Sequence, residues 1–524
     1  MIEANGHDDL PSGWALATLE DCVEILDGQR IPINSEERDQ RIAGRSSSEL
    51  VPYYGATGQV GWIDGHLFDE ELVLLGEDGA PFLEPSKNKA YLIKGKSWVN
   101  NHAHVLRALH QVTSNRFLCP YLNGFDFHGY VAGTTRLKLN QAPMRRIPIH
   151  LPPFPEQLRI VAKIEELFTK LDAAIAELRK AQKQLKRYRQ SVLNAAITGE
   201  LTKAWREAHE RELETAAELL ARVLKRRREN WETDQLVKME IAGKTPKGDD
   251  WKTNYHEPQP PTLDGMPTLP DEWKWARLDA LAAIKGGIAK NAGRRIRNGR
   301  TIPYLRVANV QRGYLDLAEI KVIEATEAEI AELQLQSEDI LFTEGGDRDK
   351  LGRGWVWQNE LPECIHQNHI FRGRLFVQEM SARFISFFSN TFGLDYFLRE
   401  GKQTTNLASI NHTKLSGLPV PVPSSEEQSR IVEEIERCFS IADAIQQTIE
   451  QSLKQAERMR QSILKQAFEG KLVPQDPNNE PAKLLLERIK IERAKREAEK
   501  SAASKPNQGR FRKKQNKQIQ GAAA

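Results

Sequence analysis

The chain has 524 residues, 40% apolar and 28% charged, enough for several cores and, at about 150 residues per domain, for three or four units. Lys plus Arg number 75 against 72 Asp plus Glu, a formal net charge of +3, so a nucleic-acid site must come from local clustering of cations. Cys22, Cys119, Cys364 and Cys438 are far apart and form no Cys-x-x-Cys pair, which argues against a disulfide scaffold or a zinc knuckle. No apolar run approaches the roughly 18 residues that span a bilayer, and Met1–Leu10 is too acidic and polar for a secretory signal. A cytoplasmic protein without membrane contact is expected.

In chain order, residues 1–152 form a first globule. Its β-like runs lie within Ile31–Val60 and Glu71–Leu92, as in Val51-Pro-Tyr-Tyr-Gly and Leu72-Val-Leu-Leu. Residues 153–201 read as one long helix, with Pro155 at its start and Gly199 as its stop. Ile160, Ile164, Leu167, Leu171, Ala174, Leu178, Ala181, Leu185, Tyr188 and Val192 alternate spacings of four and three, a heptad seam. Residues 202–268 comprise a charged helical stretch from about Lys203 to Glu240, then the Pro- and Gly-rich linker Lys244–Thr268. Residues 269–423 form a second globule, with strand runs from Ile302 and Asp339 and a helix over Ala382–Leu398. A second long helix fills 424–473, with Ile431, Ile435, Cys438, Ala442, Ile445, Ile449, Ser452, Ala456, Met459 and Ile463 on its seam and Gly470 as its stop. Residues 474–524 are a helical extension and a basic, low-complexity tail expected to be disordered.

The chain is duplicated. Glu156–Leu201 recurs at Glu427–Leu472 with an ungapped offset of 271 and 20 identities in 46 positions. Leu10-Pro11-x-x-Trp14 is matched by Leu269-Pro270-x-x-Trp273, and Ala217-Glu-Leu-Leu by Ala482-Lys-Leu-Leu. Equal length and register suit two helices of roughly 69 Å that pack on each other. Antiparallel pairing would place the globules at opposite ends with approximate two-fold symmetry. The expected fold is therefore α+β, two mixed globules joined by two long antiparallel coiled-coil helices in a pseudo-two-fold duplication. The globule sequences diverge far more than the helices, so two bound targets would differ.

No catalytic constellation stands out. Leu151-Pro-Pro-Phe154 is similar to the Asn/Asp-Pro-Pro-Tyr/Phe signature of amino-methyltransferases, but leucine cannot accept hydrogen bonds from a target amine. Asp264, Glu272 and Lys274 imitate a metal-binding nuclease set, yet the first repeat has no carboxylate or lysine there. Gly243-Lys244-Thr245 lacks the first glycine of a phosphate loop. His102-x-His104 and His366-x-x-His369 lack acidic or Cys partners at metal spacing. No metal or catalytic residue is assigned, and a binding protein is expected.

Binding candidates are clusters of cations with glycine. Lys285–Arg300 holds Lys285, Lys290, Arg294, Arg295, Arg297 and Arg300 with four glycines and no acid, a composition that lets a loop approach and neutralise a phosphate backbone. The first globule offers Arg30 after Gly28, then Arg38, Arg41 and Arg45. Thr135, Arg136 and Lys138 in one globule, and Thr404, Thr405 and Asn406 in the other, lie in matched polar loops before each helix. Arg179, Lys180, Lys183, Lys186, Arg187 and Arg189 crowd the first helix, where a solvated coiled-coil face is the ordinary explanation.

These motifs together resemble the specificity subunit of Type I restriction–modification enzymes. The carrying residues are the two Leu-Pro-x-x-Trp starts, Glu156-Gln157-x-x-Ile160-Val161 with Glu427-Gln428-x-x-Ile431-Val432, and the helix ends from Arg189-Gln-Ser to Gly199 and from Arg460-Gln-Ser to Gly470. The resemblance spans about residues 10–475 and is weak in the globules. It implies that each globule reads one half of a bipartite double-stranded DNA site and that the helices set the spacer. It also implies that the helices dock two methyltransferase subunits, joined by restriction/translocase subunits. S-adenosylmethionine, ATP and Mg would belong to those partners, with no cofactor on this chain. A coiled-coil adaptor with two protein-binding globules and a stand-alone nuclease are the alternatives.

Overall fold

The structure, a computed structural model, describes residues 10–110, 112–209, 213–246, 248–289, 298–346, 350–400, 402–403 and 408–503. It is a mixed helix-and-sheet protein of two compact units, residues 1–180 with 449–524, and residues 181–448. Each unit therefore holds one globule, the N-terminal half of that globule's own long helix, and the C-terminal half of the other.

In the first unit a four-stranded antiparallel sheet runs in the order Val23–Ile25, Ala103–Ala108, Leu72–Gly76, Ala90–Ile93. Beside it lies a sheet ordered Gly58–Asp64, Leu50–Gly55, Lys96–Val99, Phe68–Asp69, whose Leu50–Gly55 and Lys96–Val99 strands pair parallel. Strand Ala15–Thr18 pairs with Pro148–Leu151 and so returns the chain to its starting edge before the long helix begins. Ile31–Val60 is not wholly β-like: Asn34 caps a helix over Ser35–Ile42, accepting from the Glu37 amide, with Glu36 and Glu37 favourably placed in the first turn.

The second unit repeats this order. Ala282–Gly286, Ile370–Leu375, Ile340–Thr343 and Gly354–Val356 form the larger sheet. Lys321–Thr326, Gly299–Leu305 and Ile365–His366 form the smaller one, again with a parallel pair. Lys274–Arg277 closes against Pro419–Val422. Divergent sequences thus share this strand order, with one edge strand fewer in the second unit's smaller sheet, because burial constrains residue class more tightly than residue identity.

The long helices span Phe154–Ile197 and Ser425–Phe468, 44 residues each. In the first unit Ile160, Val161 and Ile164 share a core with Ile463, Leu464, Ala467 and Phe468, while Arg460 meets Asp172. In the second unit Val192, Ala196 and Ile197 share a core with Ile431, Val432, Ile435 and Cys438, while Arg189 meets Asp443. Within each unit the two helix halves thus run antiparallel, and each fully buried isoleucine contributes about 1.5–3 kcal/mol.

The buried seam is narrower than the expected one. Ile164, Leu171, Leu185 and Val192 are buried, as are Ile435, Ala442, Ile449, Ala456 and Ile463, at spacings of seven or multiples of seven. Leu167 and Leu178 are half-buried. Tyr188, Ile445 and Met459 instead stand 43%, 45% and 47% exposed, and Ala174 is exposed as well. The second stripe is buried only where a globule covers it, at Ile160, Ile431 and Cys438.

Two repeated joints fix each globule to the helices. The Trp14 indole donates to Glu156 at 3.1 Å and that of Trp273 to Glu427 at 2.8 Å. Gly199 and Gly470 adopt φ of +77° and +71°, and a Cβ on either would strike the ring of Pro270 or Pro11 respectively. The Leu-Pro-x-x-Trp motif therefore seats a helix end with its proline and a helix start with its tryptophan.

The charged stretch after Gly199 forms helices Lys203–His209 and Ala216–Ile241. The second helix buries Leu219 and Val223 in the core that holds Leu278 and Leu281 of the second globule, and Ala216 is buried as well. Ala482–Ala503 does likewise in the first unit, with Ala482 and Leu486 buried beside Leu19. Burial aligns Ala216, one residue earlier than Ala217, with Ala482.

Candidate nucleic-acid interface

In the first globule three segments converge on a cleft of about 880 Å³: the hairpin tip at Thr57, the stretch Asp78–Asn88, and the loop Thr134–Leu137. Strand Leu72–Gly76 leads directly into Glu77 and Asp78. The Glu77 amide donates to the His102 carbonyl at 2.8 Å, the Leu139 amide to Glu77 at 2.8 Å, and the Gly79 amide to Leu137 at 2.9 Å. Gly133 sits at φ +102°, where a Cβ would meet the Arg136 carbonyl oxygen, so this tight turn requires glycine. The turn exposes Thr134, Thr135, Arg136 and Lys138. Arg136 Nε donates to Asp78 at 2.7 Å, and Lys138 lies 3.5 Å from Glu77.

The other candidate cations of this globule have structural partners. Arg30 is only 14% exposed at its side chain; it bonds Glu77 and the Ala103 carbonyl at 2.7 Å each. It also bonds the Asp27 carbonyl at 3.1 Å, and a half-buried guanidinium committed to three groups serves the fold and not a DNA contact. Arg41 and Arg45 both pair with Asp64, the second at 2.9 Å. Arg38 and Arg41 lie over the rings of Tyr53 and Trp98, packing contacts that add stability to the helix.

In the second globule Lys285 pairs with Glu332, and Arg300 with Glu327 at 2.7 Å and with Glu363 at 2.6 and 2.9 Å. Those carboxylates raise the Arg300 pKa, and Arg300 holds that of Glu363 below the usual range. Lys290, Arg294, Arg295, Arg297, Thr404, Thr405 and Asn406 lie outside the described residues. The site of the second loop is nevertheless marked by its flanks. Glu344 donates its amide to the His369 carbonyl and accepts from the Ile410 amide, the same bonds that Glu77 makes with His102 and Leu139. Glu77 and Glu344 thus occupy equivalent sheet positions in the two globules.

His104 is buried between Asp27 at 2.7 Å and the Leu139 carbonyl at 2.8 Å, and burial lowers the pKa of His366 to about 4. Burial pushes the Cys119 and Cys364 thiols up to about 12, away from reactivity. Among the described residues no group of three His, Cys, Asp or Glu is placed to hold a metal. Glu272 lies 3.8 Å from Arg206, and Lys274 opens a strand opposite Val422. Among the described residues, no helix is long and apolar enough to cross a membrane.

Sequence reasoning missed Asp78, Thr57, Lys87 and Asn88, which line the cleft with the candidate loop. They carry no motif; chain topology alone brings them together. One signal was available, since Glu77-Asp78-Gly79 and Glu344-Gly345-Gly346 follow equivalent apolar strands.

A family model described as the Type I restriction modification DNA specificity domain matches residues 11–185 and again residues 270–455. The chain belongs to that family. Among its relatives, the Type I restriction enzyme EcoKI specificity subunit of Escherichia coli K12 is 25% identical over 384 residues, 71% of this chain and 70% of the relative. The Type I restriction enzyme EcoDI specificity subunit of Escherichia coli is 24% identical over 516 residues, 95% of this chain and 99% of the relative. A chain solved in a study of complex assembly and conformational transition of the type I R-M system shares the fold, with a TM-score of 0.55 and 17% identity over 88% of this chain and 99% of that one. The two matched segments of the specificity domain each take in a globule and much of its long helix.

Proposed function

We propose that this chain is the DNA sequence-specificity subunit of a Type I restriction–modification complex, without catalysis of its own. Each globule reads one half of a bipartite, asymmetric site, and the two long helices, read together as an antiparallel coiled coil with pseudo-two-fold symmetry, hold the readers a fixed distance apart. The observation that carries this reading is the duplication of the joints: Trp14–Glu156 and Trp273–Glu427 attach two globules of one topology to equivalent helix starts.

The exposed faces of the helices dock two methyltransferase subunits, which supply S-adenosylmethionine chemistry, and restriction/translocase subunits bring ATP and Mg. In the first globule the reading surface is the cleft around Thr135, Arg136 and Lys138. In the second it is the equivalent loop through Thr404, Thr405 and Asn406 together with Lys285–Arg300. Exposed cations there supply the salt-dependent, sequence-independent part of binding, and the polar loop side chains supply base contacts.

Genome-wide adenine methylation in cells with and without this chain, methyltransferase partners present in both, tests the reading. A split motif that appears only with the chain is the expected result. An unchanged methylation pattern overturns the reading and favours the protein-binding adaptor.

A further inference from the structure

We infer that Arg136 reads a guanine in the first half-site, held in reading position by Asp78. This rests on the reading of the chain as a DNA-specificity subunit.

A guanine presents O6 and N7 as paired acceptors in the major groove, and the two terminal amino groups of an arginine match them as a fork. Such a fork discriminates only if it is fixed beforehand and unspent. Arg136 meets both conditions. Its Nε donates to Asp78 Oδ1 at 2.7 Å, while its two terminal amino groups have no partner among the described residues. Its side chain is 63% exposed, at the mouth of the cleft.

The other fixed arginines of the globule are spent. Arg30, Arg41, Arg45, Arg107 and Arg145 each commit at least one terminal nitrogen to a carboxylate or a carbonyl.

Asp78 is itself held by several contacts. Its amide lies 3.4 Å from the His102 carbonyl, it forms an isolated antiparallel β-bridge with Lys138, and its second carboxylate oxygen lies 3.6 Å from His102 Nδ1. Gly79 completes the arrangement: a Cβ there would stand 3.4 Å from Arg136 Nε, at a φ of +76°. An acidic residue on the floor of a DNA-binding cleft is unfavourable for phosphate, so its presence beneath Arg136 suits a base contact better than a backbone contact.

The test uses the full complex with its methyltransferase subunits. Binding is measured to the methylated motif's own sequence and to a set of duplexes with each base pair replaced in turn. For the wild-type complex, replacing one G·C pair of the first half-site should cost about 10- to 100-fold in affinity. In Arg136→Ala that cost should vanish at that pair alone, with the second half-site read as before. In Asp78→Ala the same pair should lose part of its discrimination, because the fork remains without its support. Equal weakening on every duplex, with a salt slope lower by about one, would make Arg136 a phosphate contact and overturn the proposal. Unchanged discrimination, relaxation at a different position, or loss of the assembled complex would also overturn it. A wild-type complex with no sequence preference would sink the specificity-subunit reading itself, and that result is visible before any variant is made.

Discussion

Arg189 on one long helix donates to the Asp443 carboxylate on the other at 2.7 Å. The same pair recurs with each member moved by 271 residues, Arg460 donating to Asp172, and the stacking repeats too: Arg189 lies over Phe439 and Arg460 over Phe168. Each helix therefore carries both halves of the contact, and each unit holds one copy. An exposed ion pair contributes about 0.2–1 kcal/mol and a cation over a ring about 0.5–1 kcal/mol. Arg189→Ala and Arg460→Ala should each cost about 1–2 kcal/mol in urea melts, and Arg189→Lys should recover part. A loss in only one of the two variants would contradict the equivalence.

The helix stops make a sharper case. Gly470 combines a left-handed φ with the Pro11 ring against its Cα, so Gly470→Ala meets both backbone strain and a collision. It should lower stability by more than about 1 kcal/mol, and Pro11→Ala should relieve the collision but not the strain. A double variant as unstable as the sum of the two singles would show that the contact does not exist in solution.

The periodic part of this architecture was legible in sequence, because a helix writes its buried face at fixed local spacing. What local spacing could not show was how far each stripe is covered: Tyr188 and Met459 continue the heptad and yet stand exposed. The globules were less legible. Their strands run two to seven residues and pair across distances such as Ala15 with Leu151, so no window of sequence holds both partners. The candidate cations show the same limit. Arg30 and Arg136 have equal claims by composition, and only their acidic partners, at Glu77 and Asp78, separate a structural arginine from a presented one.

The two joints are chemically unequal. Glu427 is buried and takes Thr202 and Arg206, both at 2.7 Å, in addition to Trp273. The hydrogen bond to Glu156 comes from Trp14, and burial raises the Glu156 pKa. Removing one member of a buried pair costs about 3–5 kcal/mol, so Glu427→Gln should destabilise the second unit by that order. Glu156→Gln should cost far less at neutral pH. Thermal melts of both variants check this, and equal losses would contradict it.

His366 sets an acid limit on the second unit. It is fully buried, and its pKa falls to about 4 from an ordinary value near 6.5. Between those values the unfolded chain binds the proton and the folded chain does not. Stability is therefore complete above about pH 6.5 and declines as pH falls toward 4, by about 1.4 kcal/mol per unit. Denaturant melts from pH 7 to 4.5 should show this slope, shallower in His366→Leu. An identical slope in the variant would place the acid sensitivity elsewhere.

The most direct measurement exchanges residues 1–152 for the corresponding globule of a relative with a different target, then maps adenine methylation genome-wide. Two independent readers on a shared helical frame predict that one half of the split motif changes while the other half and the spacer length stay. A change in both halves, or in neither, would contradict the account.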